Sequence, residues 1–357
     1  MEIAKGESTV DSLAQKIASI PGAIGQGAID AITDSMILNF TAADNMQANF
    51  NKITGQGGAM NATIMNAHRG VGSLGVSMES AGAAAGALYQ DFNQFSSMNA
   101  QMQTEMIQTT ASLENLGISA SDTAQNIALA SNGFGMTAKE SVNLQNDLAK
   151  TAMAIGMPPA KLASEFKKAA PQLAVYGKKG IEVFKSMAAA SKGLGVEMGT
   201  LLGITEQFDT FEGAAQAAGN LNAMLGGDLL NSMDLMNATQ DEQVRMLLGA
   251  VDASGKSWNS MNKFEKKAIA SAAGITDMAE ANALFAGGLK GYDEAQKKAA
   301  ENAKSDAELA EAKAAAVSIM DKMKLITQQL AVALGPLITG MHFLMDGILG
   351  VNDMFGG

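Results

Sequence analysis

The sequence predicts an all-α protein, with long helices flanking a bundle of short helical hairpins punctuated by glycine. Three observations carry that expectation. Only 5 prolines interrupt the 357 residues, and Ala, Leu, Met, Gln, Lys and Glu, all strong helix formers, fill the runs between glycines. No stretch alternates apolar and polar residues over strand length with β-branched enrichment. Finally, a triplet of glycine, apolar residue and small polar or acidic group recurs along the chain. It stands as Gly75-Val76-Ser77, Gly117-Ile118-Ser119, Gly135-Met136-Thr137 and Gly274-Ile275-Thr276, and more loosely as Gly156-Met157-Pro158 and Gly195-Val196-Glu197.

The triplet has a specific physics. Glycine takes the left-handed conformation that closes one helix. The apolar residue tucks back onto the core, and Ser or Thr caps the next helix by accepting from its free N–H groups. Thr137 has Glu140 three residues on and Ser119 has Asp122, as a capping box or a close relative requires. Each triplet therefore predicts a tight helix–turn–helix joint, with Gly117, Gly135, Gly156, Gly195 and Gly274 as the joint glycines.

Four regions follow from this reading. Residues 1–87 form a Gly/Ala/Met-rich helical region whose Gly82-Ala83-Ala84-Ala85-Gly86 run suits close helix contacts or mobile backbone. Residues 88–116 predict one long helix. Leu88, Phe92, Phe95, Asn99, Met102, Met106, Thr109, Leu113 and Leu116 fall on it at alternating steps of four and three. That heptad stripe is the pattern of a coiled-coil seam and predicts self-association into a homo-oligomer, with Asn99 setting register. Packing on the chain's own bundle uses the same stripe. Residues 117–291 are the hairpin bundle. Residues 292–357 begin as a charged, alanine-rich helix without Gly or Pro to residue 334 and continue into an apolar segment, with a stripe at Ile319, Met323, Ile326, Leu330, Ala333 and Leu337.

Composition narrows the function. With no cysteine and only two histidines, His68 and His342, disulfides, thiolate metal sites and a cysteine nucleophile are excluded, and little remains for histidine chemistry. A formal charge of -11 opposes specific or general grip on nucleic acid. The run Gly70-Val71-Gly72-Ser73-Leu74-Gly75 spells G-x-G-x-x-G but follows no predicted strand, and Gly255-Lys256-Ser257 lacks the upstream glycine of a phosphate loop. His68 reads as a surface or cap residue, His342 as an interior or interface one, and Asp241-Glu242 as first-turn helix charges. Trp258 reads as the anchor of a turn onto the following helix. The expectation is a protein without catalysis, cofactor or metal.

Charge is unevenly placed. Residues 161–192 carry seven lysines and two glutamates, and residues 199–255 carry eight acids and one arginine. These are two solvated faces, or blocks that meet within the chain or between neighbours. Residues 17–40 and 330–351 are apolar enough for a membrane check. Asp30 and Asp34 in the first, and Pro336, Gly340, Asp346 and Gly347 in the second, weaken each as a span.

Over Gly117 to Gly288 the sequence resembles the phage tail tape measure family. The resemblance lies in LENLGISASDTAQNIALASNGFGMTAKESVNLQNDLAKTAMAIGMPPAKLASEF and KGLGVEMGTLLGITEQFDTFEGAAQAAGNLNAML. The apolar run LAVALGPLITGMHFLMDGI is similar to such segments in that family. The resemblance implies a virion protein inside the tail tube that sets tail length during assembly in the host cytoplasm and leaves during genome ejection. Its implied partners are tail tube and baseplate proteins, further copies of itself and, transiently, the host membrane. Glycine joints and little aromatic bulk suit a chain that is extended and refolded, and an acidic chain is repelled by the DNA behind it. Two other classes compete: a membrane-active helical translocator or pore-former, and a self-assembling filament subunit.

Overall fold

The computed structural model describes residues 41–317. Among the described residues every regular element is a helix, so the fold is all-α. The expectations for residues 17–40, for the 319–337 stripe, for His342 and for the apolar segment 330–351 lie outside the described residues. The described residues fall into two compact units, 41–124 with 310–317 and 125–309.

The described part of the first unit comprises α1 (41–54), α2 (Asn61–Val71), α3 (Met78–Asp91) and α4 (Ala100–Glu114). Helices α2, α3 and α4 pack on one another. Phe50, Ile64, Leu88, Phe92, Met106 and Leu113 are all but inaccessible and form the core. The Gly/Ala run resolves as close helix contact: a Cβ on Gly82 would stand 2.6 Å from Met46 Cγ.

The long helix expected at 88–116 is not continuous, and its stripe is not an open seam. Helix α3 ends at Asp91, Phe92 is extended, and a 3-10 turn (Phe95–Ser97) precedes α4. Asn99 is the N-cap of α4, accepting the Met102 N–H at 2.9 Å, rather than a coiled-coil register residue. Asn93, Ser96, Ser97 and Asn99 favour local hydrogen bonds over mid-helix positions. The turn they allow aims Phe92 and Phe95 inward, each 0 % exposed. Gln103 fixes it by donating to the Phe95 carbonyl at 3.0 Å. Leu88, Phe92, Phe95, Met106 and Leu113 are thus buried in the chain's own unit; Asn99 is exposed, and Met102, Thr109 and Leu116 are half-buried.

Helix α5 (Ala120–Phe134) leads into the second unit. There follow α6 (Ala138–Ile155), α7 (Pro159–Leu173), α8 (Lys179–Leu194), α9 (Met198–Glu206), α10 (Phe211–Leu225), α11 (Ser232–Asn237), α12 (Gln240–Ala253), α13 (Lys263–Ala272), α14 (Met278–Glu301) and α15 (Asp306–Ala315). Sequential hairpins form where joints are short, as in α6 with α7 and α7 with α8, while α14 returns to lie along α8 and α12. Phe134, Phe166 and Phe184 meet in the core with ring centroids 5.7 and 5.1 Å apart, one pair stacked and one edge-on. Such pairs add to the burial of each ring.

The uninterrupted rod expected from Tyr292 is also broken. Its helix begins earlier, at Met278, and ends at Glu301. Ser305 then restarts the chain as a cap, accepting from Glu308 N–H at 3.2 Å while Glu308 accepts the Ser305 N–H at 2.8 Å. This Ser-x-x-Glu pattern starts a helix with two otherwise unpaired donors satisfied.

His68 departs from expectation in the first unit. It is 4 % exposed rather than at the surface, and its Nε2 has no partner. Burial first, then the charge of Arg69, hold its pKa below the ordinary 6.5, against a bond to the Val76 backbone. Below about 6.5 the unfolded chain takes up a proton that the folded chain refuses, so stability present above that pH is lost as pH falls toward the folded value. We expect the melting temperature to drop between about pH 7 and pH 5, and His68→Leu to flatten that part of the profile. An unchanged slope in the variant would show that His68 is not the group responsible.

Candidate functional site

The candidate site is the set of joints and bends that shape the chain. The glycines of the six triplets, Gly75, Gly117, Gly135, Gly156, Gly195 and Gly274, have φ of 86, 80, 66, 68, 70 and 76°. Four of the following apolar residues close the same hydrogen bond. The N–H groups of Ile118, Met157, Val196 and Ile275 donate to carbonyls five residues back, at 3.3, 2.8, 3.0 and 2.8 Å. That bond satisfies a carbonyl that the helix end leaves without a partner. These four side chains are 3–7 % exposed, so the same residue ends the helix and enters the core.

The third position varies. Ser77 accepts the Ser80 N–H and Ser119 accepts the Asp122 N–H, both at 3.0 Å. Thr137 and Glu140 form a full capping box at 3.3 and 2.8 Å. Lys178 donates to Glu140 at 2.6 Å and, with the Thr137 bonds, holds its carboxyl down to about 2. Thr276 does not cap its helix. Asp277, one residue later, accepts from Ala279 and Glu280 at 2.7 and 3.4 Å. At the fifth joint Glu197 offers no side-chain cap, and its N–H instead donates to Glu280 at 3.2 Å.

A bend that no triplet announces lies inside α14. Gly288 has φ 58° and ψ -167°, a region essentially confined to glycine. The helix restarts at Leu289, whose N–H is accepted by Asp252 of α12 at 3.3 Å. Helix α12 also grips the second half of α14 through Arg245, bonded to both carboxylate oxygens of Asp293 at 3.0 and 3.3 Å. The Tyr292 hydroxyl donates to the Asp241 carbonyl at 3.2 Å, and its burial pushes it up to about 12. Gly287 and Gly291 serve a different purpose. A Cβ on either would press on Leu194 of α8.

Trp258 is buried beside this bend. Its indole N–H donates to Asn282 at 3.0 Å and its ring lies 4.6 Å from that of Phe285, so it anchors its turn to α14, while the Lys266 ammonium of the following helix α13 stands 5.7 Å over its ring. Asp241 and Glu242 do sit in a helix first turn, with Glu242 accepting the Thr239 N–H at 2.8 Å. The two charge blocks adjoin within the chain. Gln172 bonds to Glu206, and burial with the nearby carboxylates of Asp209, Asp241 and Glu242 raises the Tyr176 pKa. A cleft of about 460 Å³ between α6, α8 and α14 holds Lys150, Lys185 and Lys304. Each of these is paired, to Asp147 and Asp306, to Glu182 and to Glu308, which leaves no concentrated positive charge.

Among the described residues no group of three or more His, Asp or Glu is placed to hold a metal ion, and no helix is long and apolar enough to cross a membrane. No protein-family model, curated protein or solved structure matches the chain.

Two expectations follow from the joints. Gly135→Val meets open space, so its cost is the strained backbone alone, about 1 kcal/mol or more. Gly274→Val must also displace the Gln207 side chain and should cost more than Gly135→Val in urea unfolding. Equal costs, or none, would remove the joint as a determinant of stability. At the bend, Gly288→Ala should cost about 1–3 kcal/mol and Asp252→Ala about 1 kcal/mol, with Asp252→Asn close to wild type because Asn also caps. If Asp252→Ala unfolds at the wild-type urea midpoint, the cap contributes nothing.

Proposed function

We propose that the chain is a virion structural protein of the tail tape measure kind. It lies in the tail tube, sets tail length during assembly in the host cytoplasm, and leaves as the genome is ejected. The observation that carries this reading is the run Leu113 to Phe166, whose phrases resemble that family and whose residues form short helices separated by three tight glycine joints. Three further features support it. Glycine joints turn the chain through local hydrogen bonds, so they are remade after extension without disulfide or cofactor chemistry. The formal charge of -11 keeps the chain from binding the following DNA. The exposed side of the helix beyond Tyr292 carries the lysine–glutamate pair Lys297–Glu301 at i and i+4, a spacing that supports a helix locally.

In this reading tail tube and baseplate proteins are the partners, several copies act together, and contact with the host membrane falls to the apolar segment 330–351. Length is set by rise per residue. At about 1.5 Å per residue, a fully helical chain of 357 residues spans on the order of 500 Å. In-frame deletion of residues 292–315 should shorten the tail by about 1.5 Å per residue removed, measured by electron microscopy of particles. Tails of unchanged length would remove the ruler role.

A further inference from the structure

Residues 310–317 close a corner of the first unit from a distant part of the chain. The Lys313 ammonium donates to the Ser112 hydroxyl at 3.0 Å. Ser112 gives its own proton to the Thr109 carbonyl at 3.1 Å, which leaves its oxygen lone pairs for the lysine. The Asn115 amide donates to the carbonyls of Leu74 at 2.7 Å and of Lys313 at 3.3 Å, so it ties the segment to the turn between α2 and α3. Val317 lies against Gly75, where a Cβ would strike its side chain. Lys313 and Ser112 are both buried.

Helix α15 gives this closure little apolar support. Leu309 and Lys313 are its buried residues, four positions apart, while Ala307, Glu308, Ala310, Glu311 and Ala315 are exposed. A helix of 10 residues is marginal by itself in water. Elements with few buried apolar contacts are the ones that open locally. The pin is also a charged group. An ammonium held away from water gives up hydration that it recovers when the segment lifts, whereas a leucine would lose by the same step. Beneath the segment, α2, α3 and α4 pack on one another.

We infer that residues 310–317 are a detachable strap pinned by Lys313, which opens by itself while α2, α3 and α4 stay packed. Opening uncovers Ser112 and the Gly75 turn and returns the Lys313 ammonium to water. The bond from Asn115 to Leu74 stays, so the turn keeps its shape. The strap is thus a reversible fastening between two stretches of the first unit that lie far apart in sequence. It does not depend on the tape measure reading.

Native-state hydrogen exchange of the wild-type protein, read by peptide mass spectrometry, tests the strap. Amides of 310–317 should exchange about tenfold or more faster than those of 104–113 in α4, and low urea should leave their rate unchanged, as local opening requires. Lys313→Ala removes the pin and keeps the helix, since alanine is the better helix former. It should speed exchange of 310–317 about tenfold, the worth of a hydrogen bond to a charged group, and leave 104–113 and the circular dichroism as they are. Ser112→Ala takes away the acceptor and should act in the same direction. Glu311→Gln, exposed on the same helix, should change nothing. The strap is overturned if 310–317 and α4 exchange together through one opening, or if Lys313→Ala leaves the exchange of 310–317 unchanged. Collapse of the first unit in Lys313→Ala also overturns it, because a strap that opens alone is not what holds the unit folded.

Discussion

The hairpins depend on joints in which a glycine at positive φ lets one helix end and the next begin within three residues. At these joints the glycine turns the chain, and at four of them the next residue both closes the helix end and drops into the core. Ile118, Met157, Val196 and Ile275 do the same two jobs at four places. Helix length, hairpin pairing and core composition are then linked. Moving a joint by one residue would rotate the following helix by about 100° and carry its apolar face away from the core.

The joints were legible because their chemistry is local. A glycine, an apolar residue and a cap within three positions need nothing from the rest of the chain. The 88–116 stripe misled for the converse reason. Alternate four and three spacing is shared by a coiled-coil seam and by two short helices that both face a core, and only their caps tell them apart. Asn93, Ser96, Ser97 and Asn99 were that signal, as Ser305 with Glu308 was for the second break. The latch at Gly288 was beyond reach. It depends on Asp252, brought to the Leu289 N–H by the packing of two helices. Gly287 and Gly291 likewise show their purpose only beside Leu194.

The same local design bears on function. Six glycine joints and one latched bend confine much of the fold's shape to short-range hydrogen bonds, while the burial of Phe134, Phe166 and Phe184 holds the hairpins together. Loss of that burial releases the hairpins but leaves each helix able to form again and each joint able to close again. The charge blocks follow the same pattern. They adjoin near Tyr176 and Gln172, where Gln172 bonds to Glu206 and the acids of the second block surround the Tyr176 hydroxyl.

The most direct test is native-state hydrogen exchange at the amides of Ile118, Met157, Val196 and Ile275. If the joints are hubs on which the packing depends, these amides should exchange only through the global unfolding of their unit, as slowly as the core of the helices they close. Exchange at the rate of exposed turn amides, with the helix cores still protected, would contradict the account and reduce the joints to passive connectors.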